Sequence, residues 1–178
     1  MLRSCVVICC CAFASVPLAF GKHEKRPPRV PRHMMVELSV EYARRTRLDG
    51  TDYDNRQQNV KINISTHNRS TSVDYKEMTG YLYVVAEDVT QRGKYKLIIK
   101  EEHKLDILRG QRSQLESQEV LLKYDDNPPV KFGFKCYGYV YVVEDKEGKI
   151  LMGYASSDKL WDWLPKLSEK KVDEVFSF

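Results

Sequence analysis

The sequence predicts a mainly β protein: an immunoglobulin-like antiparallel β-sandwich of seven or eight strands with a short C-terminal helix. Three observations carry that expectation. Apolar side chains recur at every second position in several separate stretches, the period of a half-buried strand. Turn residues punctuate those stretches at intervals of roughly ten to twenty residues. No long segment shows the 3.6-residue period of an amphipathic helix. A closed barrel is the competing topology.

The clearest stretch is Lys131 to Ser156, which reads as a long hairpin. Strict alternation puts Phe132, Phe134, Cys136, Val140 and Val142 on one face. It puts Gly133, Lys135, Tyr137, Tyr139 and Tyr141 on the other. The run Asp145-Lys146-Glu147-Gly148-Lys149 is the turn, with Gly148 where a positive φ is needed.

Earlier in the chain, Met34 to Leu48 alternates as a first strand and Asp49 to Asn55 reads as a turn. Val60, Ile62 and Ile64 mark a second strand, and Thr66 to Lys76 is expected to be a polar loop. Gly80 to Asp88 (GYLYVVAED) nearly repeats Gly138 to Asp145 (GYVYVVED), which suggests neighbouring strands of one sheet. Tyr95, Leu97 and Ile99 form another strand, with Leu105 and Ile107 resuming after a charged patch. Val120, Leu122 and Tyr124 form a further one, stopped by Asp125-Asp126-Asn127-Pro128-Pro129. Ser157 to Leu164 has the pattern of a short helix, capped by Ser157 or Asp158 and stopped by Pro165. Lys166 to Phe178 is expected to add a second helical piece or to fray.

Four segments follow. Residues 1–21 read as an export signal: Arg3 precedes an apolar run from Cys5 to Phe20, and Ala19 and Gly21 are the small residues of a cleavage site. That run is short for a membrane span, so no span is expected in the mature chain. Residues 22–33 form a basic, proline-rich leader expected to be disordered, residues 34–157 the sandwich, and residues 158–178 the helical tail.

Removing the first 21 of 178 residues leaves 157, enough to bury about two-thirds of the unfolded surface. Cys5, Cys9, Cys10 and Cys11 leave with the signal, and Cys136 alone remains. The mature chain therefore relies on its apolar core and not on an internal disulfide. Cys136 is expected to be a small buried hydrophobe.

The net charge of +4 is unevenly placed. Arg3 belongs to the signal. Lys22, Lys25, Arg26, Arg29 and Arg32 against Glu24 give residues 22–33 a charge of +4. Residues 34–178 therefore carry −1. A near-neutral folded part argues against a nucleic-acid groove.

The segment Leu121 to Asn127, the aromatic strand after it, the Asp145–Lys149 turn, Leu82-Tyr83-Val84-Val85 and Lys94-Tyr95-Lys96-Leu97 together resemble small exported bacterial single-domain proteins of immunoglobulin-like or fibronectin-III-like fold. The resemblance runs from about Val36 to Ser157. It implies the sandwich and export to the periplasm or beyond the cell, and its motifs are structural, so it transfers no active site.

The candidate partner-binding residues are Tyr81, Tyr83, Tyr137, Tyr139, Tyr141, Trp161 and Trp163. Were the two near-repeat strands neighbours, five tyrosines would pave one sheet face, and an exposed aromatic patch marks a contact surface. The alternative is that the tail covers the tyrosines with Trp161, Trp163 and Leu164.

Asp49, Asp52, Asp54 and Asn55 gather oxygen ligands without the spacing of a calcium loop, and ordinary turn chemistry accounts for them. His23, His33, His67 and His103 lack zinc-site spacing. Asn63-Ile64-Ser65 and Asn68-Arg69-Ser70 match the glycosylation pattern but read as chance in a bacterial chain. No phosphate loop and no nucleophile–base set is present.

The sequence thus leads to an exported non-enzymatic protein that binds an envelope or surface protein, or is structural there. It needs no cofactor or metal and contacts no nucleic acid. One alternative is a glycan-binding module using the tyrosine face. Another is a hydrolase whose paired carboxylates are distant in sequence.

Overall fold

The computed structural model describes residues 36–49, 52–129 and 131–178, with side chains from Arg56 onward. The predicted signal and basic leader, and the side chains of Asp49, Asp52, Asp54 and Asn55, lie outside the described residues.

Nine strands and one helix appear among those residues. They are β1 (Val36–Asp49), β2 (Asp52–Asn68), β3 (Tyr75–Asp88), β4 (Lys94–Ile107), β5 (Arg112–Glu116), β6 (Val120–Asp125), β7 (Phe132–Glu144), β8 (Ile150–Ala155), α1 (Asp158–Glu169) and β9 (Val175–Ser177). Every pairing is antiparallel. The strand path is β1-β2-β6-β7-β3-β4-β9, with β5 added to β2 and β8 to β7. The protein is mainly β with one short helix, as the sequence predicts.

Strand β7 joins the two layers. Its first residues pair with β6, through Tyr124↔Gly133 and Asp125↔Phe132. From Phe134 it pairs with β3. The corner falls at Gly133, where φ is +85° and an added Cβ would sit 2.2 Å from the Lys123 carbonyl oxygen. Only glycine fits there, because the strand must both bend and pass close to its neighbour.

Two apolar cores result. The first lies between the layers. Val60, Ile62 and Ile64 of β2 and Leu122 of β6 meet Leu82, Val84, Ile99, Leu105, Tyr139, Tyr141 and Val143. The second lies on the other side of β3, β4 and β7. There Leu160, Leu164 and Leu167, one helical stripe, cover Tyr83, Val85, Leu97, Val140 and Val142. Each fully buried aliphatic side chain contributes roughly 1.5–3 kcal/mol of transfer free energy.

Several expectations are corrected. Thr66 to Lys76 is not all loop: β2 runs to Asn68 and β3 begins at Tyr75. Asn68 is fully buried. Its Nδ2 donates to the carbonyls of Val73 (2.8 Å) and Ile107 (3.0 Å), and its Oδ1 accepts from the Ser70 N–H (2.9 Å). A polar sequence reads as strand here because the side chain's own bonds are satisfied inside.

Strand β4 continues without a break through the charged patch. Strand β5 is polar and half exposed, which hid it from a periodicity search.

Pro165 does not stop α1, which continues to Glu169. Burial of Leu164 and Leu167 on either side outweighs the hydrogen bond that proline removes. The helix C-terminus is held from the sheet, where Lys100 Nζ donates to the carbonyls of Ser168 (2.7 Å) and Lys170 (3.0 Å). Beyond Glu169 the last segment is neither helical nor frayed. Its strand β9 pairs with β4 through Lys94↔Ser177, Tyr95↔Phe176 and Lys96↔Val175.

The Asp145–Lys149 turn forms as expected, with Gly148 at φ +77° and Asp145 Oδ1 accepting from the N–H groups of Glu147 and Lys149, each at 2.9 Å. Cys136 is half-buried against the inter-layer core, and its N–H donates to Gln58 Oε1 at 2.9 Å.

Candidate functional site

The near-repeat strands are neighbours, but the tyrosines do not share a face. In an antiparallel pair, directly opposed residues lie on the same side. The register sets Tyr81 against Val142, Leu82 against Tyr141, Tyr83 against Val140 and Val84 against Tyr139. Tyr81 and Tyr83 therefore point to the α1 side, and Tyr139 and Tyr141 point between the layers.

A bulge then moves Tyr137 to the α1 side. Val85 pairs with Gly138 and Ala86 with Cys136, so Tyr137 is an extra residue and the alternation shifts by one. For the same reason Phe134 and Cys136 face the inter-layer core while Val140 and Val142 face α1. The expectation that these apolar residues share one face is corrected. A tyrosine-paved surface is excluded by burial: Tyr83 is 4% exposed, Tyr139 7% and Tyr141 0%.

Burial also sets the chemistry of these phenols. Desolvation pushes Tyr83 and Tyr139 up to about 12, and Tyr141 is raised by burial alone.

The tail covers its side of the sheet, the alternative the sequence left open. Trp161 packs on Gly153 of β8, where an added Cβ would meet its ring at 2.9 Å. Trp163 stacks on Tyr137 with centroids 5.7 Å apart, and on Phe178 at 4.2 Å. Tyr95 lies edge-on to Tyr137 at 5.1 Å and tilted to Trp163 at 4.8 Å. Lys166 Nζ sits 5.1 Å above the Phe178 ring. Of the seven singled-out residues, the structure brings Tyr137 and Trp163 together and leaves Tyr139 and Tyr141 on the opposite side. Sequence reasoning placed Tyr95 only as a strand residue and missed Phe176 and Phe178, because β9 carries too few residues to show a period.

Tyr81 stands apart. It is half-buried and lines a cleft of about 550 Å³ where β3, β4 and the β7–β8 turn meet. Thr79 and Met78 of β3, Lys104, Leu105 and Asp106 of β4, and Glu144, Asp145, Lys146 and Gly148 of the hairpin complete the walls, with Glu77 at the rim. A bulge between Tyr75 and Met78 shapes this end, and Glu77 takes φ +57° there.

The cleft's charges divide by task. Asp106 Oδ1 accepts from the Glu77 N–H at 2.9 Å, and Asp145 braces the hairpin turn. Lys104 is engaged by Glu102 (2.7 Å) and donates to Thr79 Oγ1 (3.1 Å). Burial, with the Asp145 charge second, raises the Glu144 carboxyl above its ordinary value. Burial and the Glu102 charge raise Tyr81. Four carboxylates against two lysines leave the walls with a formal charge of −2.

Among the described residues no group of His, Cys, Asp and Glu converges as a metal site, and no helix is long and apolar enough to cross a membrane. His103 Nε2 lies 3.3 Å from Glu101 Oε2. Asn68, the first residue of one glycosylation pattern, has its amide committed inside the protein.

The fold defines the chain as a mainly β, antiparallel, sandwich-like protein with one short helix. No family model matches it, and no curated protein does. Similar solved structures include a crystal structure from Akkermansia muciniphila, with TM-score 0.38 and 18% identity over 76% of this chain and 79% of that one. A β-glucosidase from Kluyveromyces marxianus in complex with glucose aligns with TM-score 0.30 and 11% identity over 82% of this chain, which spans 15% of the enzyme. An X-ray structure of a structural-genomics target aligns with TM-score 0.29 and 13% identity over 67% of this chain and 83% of that one.

Proposed function

We propose that this chain is an exported, non-enzymatic binding protein of the bacterial cell envelope, with the Tyr81 cleft as its binding site. The observation that carries the reading is the make-up of that cleft. A volume of about 550 Å³ suits a small ligand or a few side chains of a partner. Its walls combine one aromatic ring, the hydroxyls of Thr79 and Tyr81, four carboxyl groups and two lysines, which serve recognition. A paired-acid hydrolase needs two carboxyls turned to one substrate bond. Here Asp106 and Asp145 are spent on backbone N–H groups and Glu77 is exposed at the rim, which leaves Glu144 as the half-buried acid of the cleft.

Thermal-shift and NMR titration of the full chain against envelope peptides and oligosaccharides tests this. Perturbation of Thr79, Tyr81 and Glu144 resonances by a ligand, abolished in Tyr81→Ala and retained in Phe178→Ala, supports the reading. Hydrolysis of any of those compounds, lost in Glu144→Gln, overturns it.

A glycan is the second reading, moved from the tyrosine-paved face to this cleft. It is favoured by the Tyr81 ring standing beside the Thr79 hydroxyl and the Glu144 carboxyl, groups that suit a sugar ring and its hydroxyls.

A further inference from the structure

Two groups of the Tyr81 cleft are left unused by the fold. Glu144 is half-buried, yet among the described residues its carboxylate takes part in no hydrogen bond and no ion pair. The Tyr81 ring, also half-buried, has no stacking partner there and no cation over it. The lysines of the walls do not serve Glu144. Lys104 is engaged by Glu102 at 2.7 Å and donates to Thr79 Oγ1 at 3.1 Å, and Lys146 is exposed on the turn. The neighbouring charge that acts on Glu144 is Asp145, of the same sign.

The register puts the two unused groups side by side. Thr79 opposes Glu144 and Tyr81 opposes Val142. Opposed residues share a face, so Thr79, Tyr81 and Glu144 all stand on the α1 side of the sheet. The leucine stripe of α1 covers Tyr83 and leaves Tyr81 at its border. Tyr81 and Glu144 are diagonal neighbours, about 7–8 Å apart, a spacing that an aromatic and a long side chain can close around one small group. A carboxylate drawn partly out of water without a partner is costly, and a neutral hydroxyl compensates it less than a cation does. An ammonium or guanidinium group also gains from the face of a tyrosine ring.

We infer that the ligand of the Tyr81 cleft is cationic, with an alkylammonium or guanidinium group set between the Tyr81 ring and the Glu144 carboxylate. This rests on the reading of the cleft as a binding site and names the class of group it takes. A lysine or arginine side chain carries that chemistry, and so does an amino sugar.

The test titrates the full chain, followed by NMR, with Nα-acetyl-lysine amide and with glucosamine. Each is compared with its neutral counterpart, Nα-acetyl-norleucine amide or glucose. At least one cation should move the Thr79, Tyr81 and Glu144 resonances, leave Trp163 and Phe178 in place, and bind about tenfold more tightly than its counterpart. Binding of the lysine amide alone supports the proposal with a polypeptide as the source, and binding of glucosamine alone supports it with an amino sugar. Glu144→Gln should weaken the cation about tenfold and leave the neutral counterpart unchanged, and Tyr81→Leu should weaken it about threefold. Asp162→Asn, which removes an exposed acid of α1, should change neither. An equal loss in Asp162→Asn overturns the proposal, since net charge alone would then attract the cation. A neutral counterpart that binds as tightly as its cation also overturns it, while the cleft remains a binding site. Cleft resonances unmoved by all four compounds overturn it too, and the titration with envelope peptides and oligosaccharides then decides the cleft's own reading.

Discussion

The Tyr141 hydroxyl fills the space that a side chain on Gly80 would need. A Cβ built on Gly80 would lie 2.1 Å from Tyr141 Oη and 2.7 Å from its Cζ. The two residues are on adjacent strands, and the ring reaches across the inner face of β3 from beside Leu82. Gly80→Ala should therefore destabilise by about 1–3 kcal/mol, as overpacking does. Tyr141→Phe should cost little or stabilise slightly, because the buried hydroxyl has no hydrogen-bond partner among the described residues. In the double variant the nearest clash is gone, so urea denaturation should show a loss smaller than the sum of the two single changes.

Asn68 ties three chain segments with one side chain. It spans the Ser70 N–H, the Val73 carbonyl and the Ile107 carbonyl, and its own backbone pairs with Gly110 and Gln111. Asn68→Ala should cost about 2–4 kcal/mol, since it leaves buried carbonyls unpaired as well as removing bonds. Hydrogen exchange should quicken at Ser70, Gly110 and Gln111 and remain slow at Val84 and Val140. Uniform exchange across the chain would contradict this local role.

How far the sequence reveals this fold can be argued from β7. Its hairpin turn is plain because Gly148 and Asp145 act through their own local geometry. The adjacency of β3 and β7 is plain because like environments select like residues. The faces are not, since the pattern assumes an unbroken period of two and the Tyr137 bulge breaks it. A second bulge, which leaves both Ile98 and Ile99 in the inter-layer core, does the same to β4. Both are set by pairing between distant strands, which leaves no local mark. The cleft escaped notice for the same reason: Tyr81, Lys104 and Glu144 meet only once the register is fixed.

The helix is expected to dock as a unit. Leu160 is fully buried at the centre of the second core. Leu160→Ala should cost about 2–5 kcal/mol. It should also loosen the stack of Trp163 on Tyr137 and Phe178, moving tryptophan emission to longer wavelength before global unfolding. Emission unchanged up to the main transition would mean that β9 and the aromatic cluster hold the helix without Leu160.

Alkaline pH should weaken the fold within a defined window. Tyr83 and Tyr139 stand at about 12 in the folded chain against 10.0 as model phenols. Between those values the unfolded chain has released protons that the folded chain still holds, so stability falls as pH rises. Below about pH 10 their contribution is fully present, and it is lost as pH climbs through about 12. The thermal midpoint should drop across that window, and the drop should be shallower in Tyr83→Phe. Tyrosinate absorbance should rise together with unfolding.

Glu144 follows the same sign at lower pH, as a group held in the fold at a cost. Burial raises its carboxyl, so the folded chain binds that proton more tightly than the unfolded chain. Stability from this group is present below the ordinary carboxyl range and is lost as pH rises through the raised value. Glu144→Gln keeps the shape without the charge, so it should raise the thermal midpoint at neutral pH and leave it unchanged in acid. A residue that costs stability at neutral pH and lines a cleft suits recognition better than packing. If Glu144→Gln proves both no more stable and no weaker in cleft binding, Glu144 is an ordinary strand-end acid and the cleft loses its central group.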